Sequence, residues 1–164
     1  MKSIRHQLII QAPVEKIYTA ITTQQGLSAW WTPDTKAAAG VDSIARFTFG
    51  QGYFKEMKIT KLKPFEEIEW LCITGADEWI ETTISFKLQE GDKKDLLVIH
   101  PEMGDQIRQQ KIGDHVTLVV FQHDGWKDYT PMFAECNYTW GRFLRSLKSL
   151  CENGKGRPWP YQHQ

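Results

Sequence analysis

Six apolar residues near the C-terminus, Phe133, Cys136, Trp140, Phe143, Leu147 and Leu150, follow one another at spacings of 3, 4, 3, 4 and 3. Only an α-helix puts such positions on one face. Thr130 is suited to cap the start, with Pro131 behind it, and Asn153-Gly154 is suited to stop it. About 22 residues rising about 1.5 Å each give a helix roughly 33 Å long. A helix of that length can cross a whole sheet, and its stripe has to be buried against one.

The rest of the chain supplies that sheet. Ser3 to Ile10 reads as a strand, with Ile4, His6, Leu8 and Ile10 on one face. Ala12-Pro13 stops it and opens a helix carrying Val14, Ile17, Tyr18 and Ile21. A second short helix is expected from Gln24 to Trp31, ended by Thr32-Pro33. Strands are then expected at Ile44–Phe49, Tyr53–Leu62, Ile68–Thr74, Trp79–Gln89 and His115–Gln122, separated by Gly and Pro breaks. Leu96 to Ile99 reads as an additional strand, and Gly104 to Gly113 as a polar loop with room for a helical turn. The length fits one domain, assigned to residues 1–160, with 161–164 as a short tail.

Several function classes are disfavoured. Lys+Arg and Asp+Glu both number 20 and the isoelectric point is about 7.0, which gives no electrostatic case for nucleic acid or an anionic membrane. The longest apolar run, Val116 to Phe121, is too short to span a bilayer, and Met1 to Gln11 lacks a leader's apolar stretch, so a cytoplasmic protein is expected. Cys72, Cys136 and Cys151 are odd in number with no paired spacing, and read as reduced thiols. No GxGxxG, Walker, HExxH or GxSxG motif occurs, so no cofactor is expected. His100, Glu102 and Asp105 are metal-capable types, but their spacing matches no ligand pattern and a solvated loop explains them, so no metal is expected.

Candidate site residues come from the two apolar faces. His6 reads either as a cavity-edge histidine with one satisfied hydrogen bond or as a proton donor or acceptor to a ligand. His115 and His123 fall at strand ends, where exposure is expected. Cys136 reads as a small buried hydrophobe. Seven tryptophans in 164 residues are more than a small core needs, and bulky rings facing one another across sheet and helix often leave a pocket. Such a pocket would have Phe49, Met57, Trp70 and Ile84 on the sheet side. Phe133, Cys136 and Trp140 would form the helix side, Trp30 the mouth, and His6 an edge.

Three segments resemble a known family. "IIQAPVEKIYTAITTQQGLSAWW" is similar to the opening of START-like proteins, with a strand, an Ala-Pro helix start and a closing Trp pair. "KITKLKPFEEIEW" resembles their strand–Pro–strand turn, and "CNYTWGRFLRSLKSLCENGKGRP" the end of the branch named for activator of heat-shock-protein-90 ATPase homologues. Gly91 to Asp114 departs from the pattern as an added strand or elaborated loop. The resemblance implies an α+β helix-grip fold: a curved antiparallel sheet of about six or seven strands, two short N-terminal helices, and one long C-terminal helix across the sheet. It also implies a cavity for a small apolar molecule, lipid-like or aromatic. Fold does not settle function, and three expectations follow. The first is a non-catalytic binding module. The second is a cyclase- or hydrolase-like enzyme using His6 with Glu56 or Glu81. The third is a co-chaperone-like interaction module. Exposed strand edges allow a monomer or a homodimer.

Overall fold

The structure is a computed structural model, and it describes residues 1–110 and 113–164. Seven strands form one antiparallel curved sheet: β1 (Lys2–Ile10), β2 (Thr35–Lys36), β3 (Ile44–Thr48), β4 (Phe54–Lys63), β5 (Glu67–Thr74), β6 (Thr83–Asp92) and β7 (His115–Trp126). Their spatial order is β1-β7-β6-β5-β4-β3-β2. Helices α1 (Val14–Thr22) and α2 (Gln24–Trp30) follow β1, and α5 (Pro131–Asn153) follows β7. Between β6 and β7 lie α3 (Lys93–Ile99), a 3-10 turn at Pro101–Met103, and α4 (Gly104–Gln109). The arrangement is the α+β helix-grip architecture. No described helix is long and apolar enough to cross a membrane.

The helix stripe is buried as its period demands. Trp140, Phe143 and Leu147 are buried, and Phe133, Cys136 and Leu150 pack at the margins of the same cluster. The Thr130 hydroxyl accepts the Phe133 N–H at 3.1 Å, satisfying one of the helix's unpaired first-turn donors. At the other end Gly154 takes φ 80°, a left-handed cap that only glycine adopts freely. Thr130→Ala should cost about 1 kcal/mol in urea unfolding while Thr130→Ser stays near wild type. Equal stability of the two variants would deny the cap its role.

The start of α1 is held from outside. Pro13 offers no side-chain cap, and the Glu90 carboxylate of β6 instead accepts the Val14 N–H at 2.6 Å. The same carboxylate meets His115 Nε2 at 2.6 Å. One acidic side chain thus ties the first helix to β6 and β7.

Three sequence expectations are corrected. Leu96 to Ile99 is not a strand: it lies in α3, capped by the Asp92 side chain, which accepts the Lys94 N–H at 2.8 Å. Trp79 to Thr82 does not begin a strand. It is a turn closed by Thr82 N–H and Oγ1 donating to the Trp79 carbonyl at 3.0 and 2.6 Å, and the strand starts at Thr83. β7 does not stop at Gln122 but runs to Trp126, still paired with β1 and β6 through His123 and Asp124.

The inserted stretch has a clear structural use. Leu96, Met103 and Ile107 form a second small core with Ile9, Val116 and Leu118. Strand side chains alternate, so these strand residues face away from Leu8, Ile10 and Val119, which belong to the main core under α5. The insertion covers the opposite face of the sheet. Lys111 and Ile112, within the stretch read as a polar loop, lie outside the described residues.

Candidate functional site

Beneath α5, towards the β3–β4 end of the sheet, the packing leaves a cavity of about 320 Å³. That lies near the lower end of the range for small-molecule clefts. Phe49, Tyr53 and Lys55 border it from the β3–β4 hairpin, Trp31 from the end of α2, and Trp79 from the β5–β6 turn. Cys136, Thr139, Trp140 and Phe143 of α5 form the roof, with exposed Glu135 at the rim. The last wall is Trp159, Gln162 and His163, from the segment after α5.

That final segment is anchored over the site by polar groups. The Trp159 N–H donates to the Trp31 carbonyl at 2.8 Å. Ser146 Oγ donates to the Trp30 carbonyl at 2.9 Å and accepts the Arg157 N–H at 2.7 Å. Gly156 passes so close to α2 that a Cβ there would lie 2.3 Å from the Ala29 carbonyl oxygen. Only glycine fits that crossing.

Aromatic contacts explain why the cavity ends where it does. Trp31 is interposed between sheet and helix, its ring centroid 4.3 Å from Phe47, 5.8 Å from Trp70 and 5.3 Å from Trp140. It fills the space that would otherwise reach the sheet floor. Of the residues nominated from the sequence, Phe49, Cys136 and Trp140 border the cavity. Met57, Trp70 and Ile84 lie fully covered below Trp31. Trp30 is not at the mouth: it is buried, with its indole N–H on the Ala20 carbonyl at 2.9 Å, and its neighbour Trp31 takes the cavity position. Phe133 packs to one side, against Trp126 and Tyr129.

His6 stands apart from the cavity lining. It is half-buried, with Nε2 3.1 Å from Asn137 Oδ1. The Glu56 carboxylate is engaged elsewhere, accepting from Arg46 at 2.7 Å and Thr74 at 3.0 Å, and the Arg46 hydrogen bond holds it below the usual carboxylate range. Glu81 is exposed in the turn before β6. Neither carboxylate is hydrogen-bonded to His6 among the described residues. His100 contacts Glu102 at 3.4 Å and Gln89 at 3.1 Å, while Asp105 pairs with Arg108. Among the described residues, no group of three His, Cys, Asp or Glu side chains converges on one point.

Two residues that matter most here were not nominated from the sequence. The first is Lys55, 8% exposed at an inward position of β4. Its ammonium lies over three rings, 4.3 Å from Trp79, 4.4 Å from Phe49 and 4.7 Å from Tyr53. Burial pushes its pKa down to about 8. Burial also raises Cys72, to about 11, and Cys136, so both neighbouring thiols are protonated at neutral pH and lend Lys55 no negative charge. The signal was available: Lys55, Met57 and Ile59 share one side of an alternating strand.

The second is His123, expected to be exposed and instead fully buried. Its strand continues past it, in register with inward-facing Val119 and Phe121. The Trp140 indole N–H donates to Nδ1 at 3.1 Å, so the ring proton sits on Nε2 and is directed at Thr82 Oγ1, 2.9 Å away. The Thr82 hydroxyl in turn donates a hydrogen bond to the Trp79 carbonyl. The chain of donors is complete only with a neutral imidazole. All three cysteines are free thiols.

Comparison with known proteins agrees with this architecture. Residues 11–136 match the family model described as activator of Hsp90 ATPase homolog 1-like protein. The solution structure of the Aha1 dimer from Colwellia psychrerythraea is 35% identical, with 95% of this chain and 100% of that chain covered and a TM-score of 0.74. DynU16, a putative protein in the dynemicin biosynthetic locus, shares the fold at 17% identity, with 95% of this chain and 49% of that chain covered and a TM-score of 0.65. CalU16 from Micromonospora echinospora does so at 17% identity, 90% and 73% coverage and a TM-score of 0.61. No curated protein sequence matches the chain. With the family model spanning most of its length and the whole helix-grip topology in place, the chain belongs to the activator of Hsp90 ATPase homolog 1-like family of START-like proteins.

Proposed function

We propose that this protein binds a small apolar molecule, lipid-like or aromatic, in the cavity between its sheet and α5. The observation that carries the reading is the volume of about 320 Å³ left open among Trp31, Phe49, Trp79, Trp140, Phe143 and Trp159. These rings touch one another along the wall, Trp31 and Trp140 with centroids 5.3 Å apart and Trp31 and Phe49 5.5 Å apart, and border the space without filling it. Apolar walls with a few polar groups are what such sites require. His6, held by Asn137 and off the cavity lining, gives an acid–base reading no partner at the site.

Titration of apolar probes against intrinsic tryptophan fluorescence tests the reading, because four of the seven indoles border the space. Saturable emission changes are expected. A ligand at a hundred times its Kd should also stabilise the fold by about 2.7 kcal/mol. A panel of aromatic and alkyl probes that changed neither emission nor unfolding midpoint would refute it.

A second reading concerns assembly. The Colwellia psychrerythraea relative is described as a dimer, and β1 and β2 each leave one strand edge unpaired within the sheet. We infer a homodimer for this chain, which sedimentation across a concentration series would test.

A further inference from the structure

Among the described residues, the lysine on the cavity lining has no ion-pair partner. Lysine is almost never fully buried unless paired, and moving an ammonium out of water is costly. Lys55 is 8% exposed, and among the described residues no carboxylate, hydroxyl or carbonyl is hydrogen-bonded to it. The faces of Phe49, Tyr53 and Trp79 compensate part of the lost hydration. Rings do not replace acceptors, however, and an ammonium carries three N–H donors. The ammonium therefore has aromatic faces but no hydrogen-bond acceptor among the described residues, and it borders the open volume, within reach of whatever fills it. On the same lining the buried side-chain oxygen of Gln162 has no hydrogen-bond partner among the described residues.

We propose that the molecule bound in this cavity carries a carboxylate, which pairs with the Lys55 ammonium while its apolar body lies against Trp31, Trp140, Phe143 and Trp159. The inference rests on the cavity being a binding site and adds the chemistry of its occupant. A single negative charge matches a single lysine. A doubly charged phosphate would find no second lysine or arginine on the described lining, and Glu135 at the rim would oppose its extra charge. An apolar molecule with no acceptor would seal the ammonium in with its donors unmet, the costlier arrangement. Charge-assisted hydrogen bonds are roughly twice as strong as neutral ones, so the carboxylate should dominate selectivity.

Matched pairs of probes test the charge. The full chain is titrated by tryptophan fluorescence with 3-phenylpropionate against 3-phenylpropanol, and with decanoate against decanol. Each acid is expected to bind at least about tenfold tighter than its alcohol, the lower bound for a hydrogen bond to a charged group. Lys55→Met should abolish that preference, bringing each acid to the affinity of its alcohol in the same variant, and Lys55→Arg should keep it. Equal affinity of acid and alcohol in the wild type would overturn the carboxylate inference and leave the cavity reading standing. A preference that persists in Lys55→Met would do the same. Failure of all four probes to bind would overturn both. Should Lys55→Met not fold, the acid–alcohol comparison in the wild type still supports or overturns the inference.

Discussion

Trp140→Ala is expected to remove about 3–5 kcal/mol of folding free energy, the range for truncating a large buried aromatic. Trp140 is 2% exposed and lies where the sheet, the α2 side and the β5–β6 turn meet under α5. Its ring centroid lies 4.5 Å from Phe121 on the sheet, 5.3 Å from Trp31 on the α2 side, 6.1 Å from Trp79 and 6.2 Å from Phe143. No neighbour can collapse into the hole, because Trp31 and Phe121 are each fixed by other rings. Against a typical stability of about 5–15 kcal/mol, the loss is about a fifth or more. Trp140→Phe isolates one component. It keeps most of the packing but leaves His123 Nδ1 without its donor, at about 1–3 kcal/mol. Urea unfolding of both variants checks the pair, and a loss under about 1 kcal/mol in Trp140→Ala would show that the stripe is not the core's keystone.

The second large effect is on pH dependence. Burial, aided by the charge of Lys55, lowers the His123 pKa from its ordinary 6.5 to about 3. Protonating Nδ1 would also point its new N–H at the Trp140 N–H. Above about pH 6.5 the imidazole is neutral folded or unfolded, and its contribution is fully present. As pH falls below that value the unfolded chain takes up a proton that the folded chain refuses. Stability then drops by about 1.4 kcal/mol for each pH unit until about pH 3. Denaturation midpoints between pH 4 and 7 should show this slope in the wild type and lose most of it in His123→Gln. Parallel curves for the two proteins would assign the acid sensitivity to carboxylates instead.

How far the molecule could be read from its residues depended on which force decided each element. The α5 stripe is a periodic burial pattern, and Thr130 and Gly154 are local backbone chemistry, so helix and ends were both legible. The aromatic layer was legible as a composition but not as a packing order. Nothing local says that Trp31 rather than Trp30 faces the helix, because that depends on which side of α2 meets α5. Strand limits failed where a tertiary partner overruled a turn signal. The end of β7 was expected at Gln122, yet β1 and β6 both pair with it through Asp124, and β1 pairs again at Trp126. Lys55 conflicted with its own position, a charge on an inward face, and such a conflict is itself a functional signal. Trp159 gave no pattern at all. Its place is set by a backbone hydrogen bond to Trp31 and by the close crossing of Gly156.

The strand order has a kinetic consequence. β1 precedes the other described strands in the chain, forms an edge of the sheet and is paired there with β7, the last of the seven. At about 5–20 residues per second, β1 waits many seconds for that partner during translation. Throughout that interval Ile4, Leu8, Ile9 and Ile10 have no sheet to join, and α1 lacks the Glu90 carboxylate that holds its first turn until β6 appears. Contacts that join the two ends of a chain fold slowly because the loop between them must be closed first. An N-terminal half of this protein is therefore not a smaller protein in waiting. Its hydrophobic strand stays without its sheet partner until β7 has emerged.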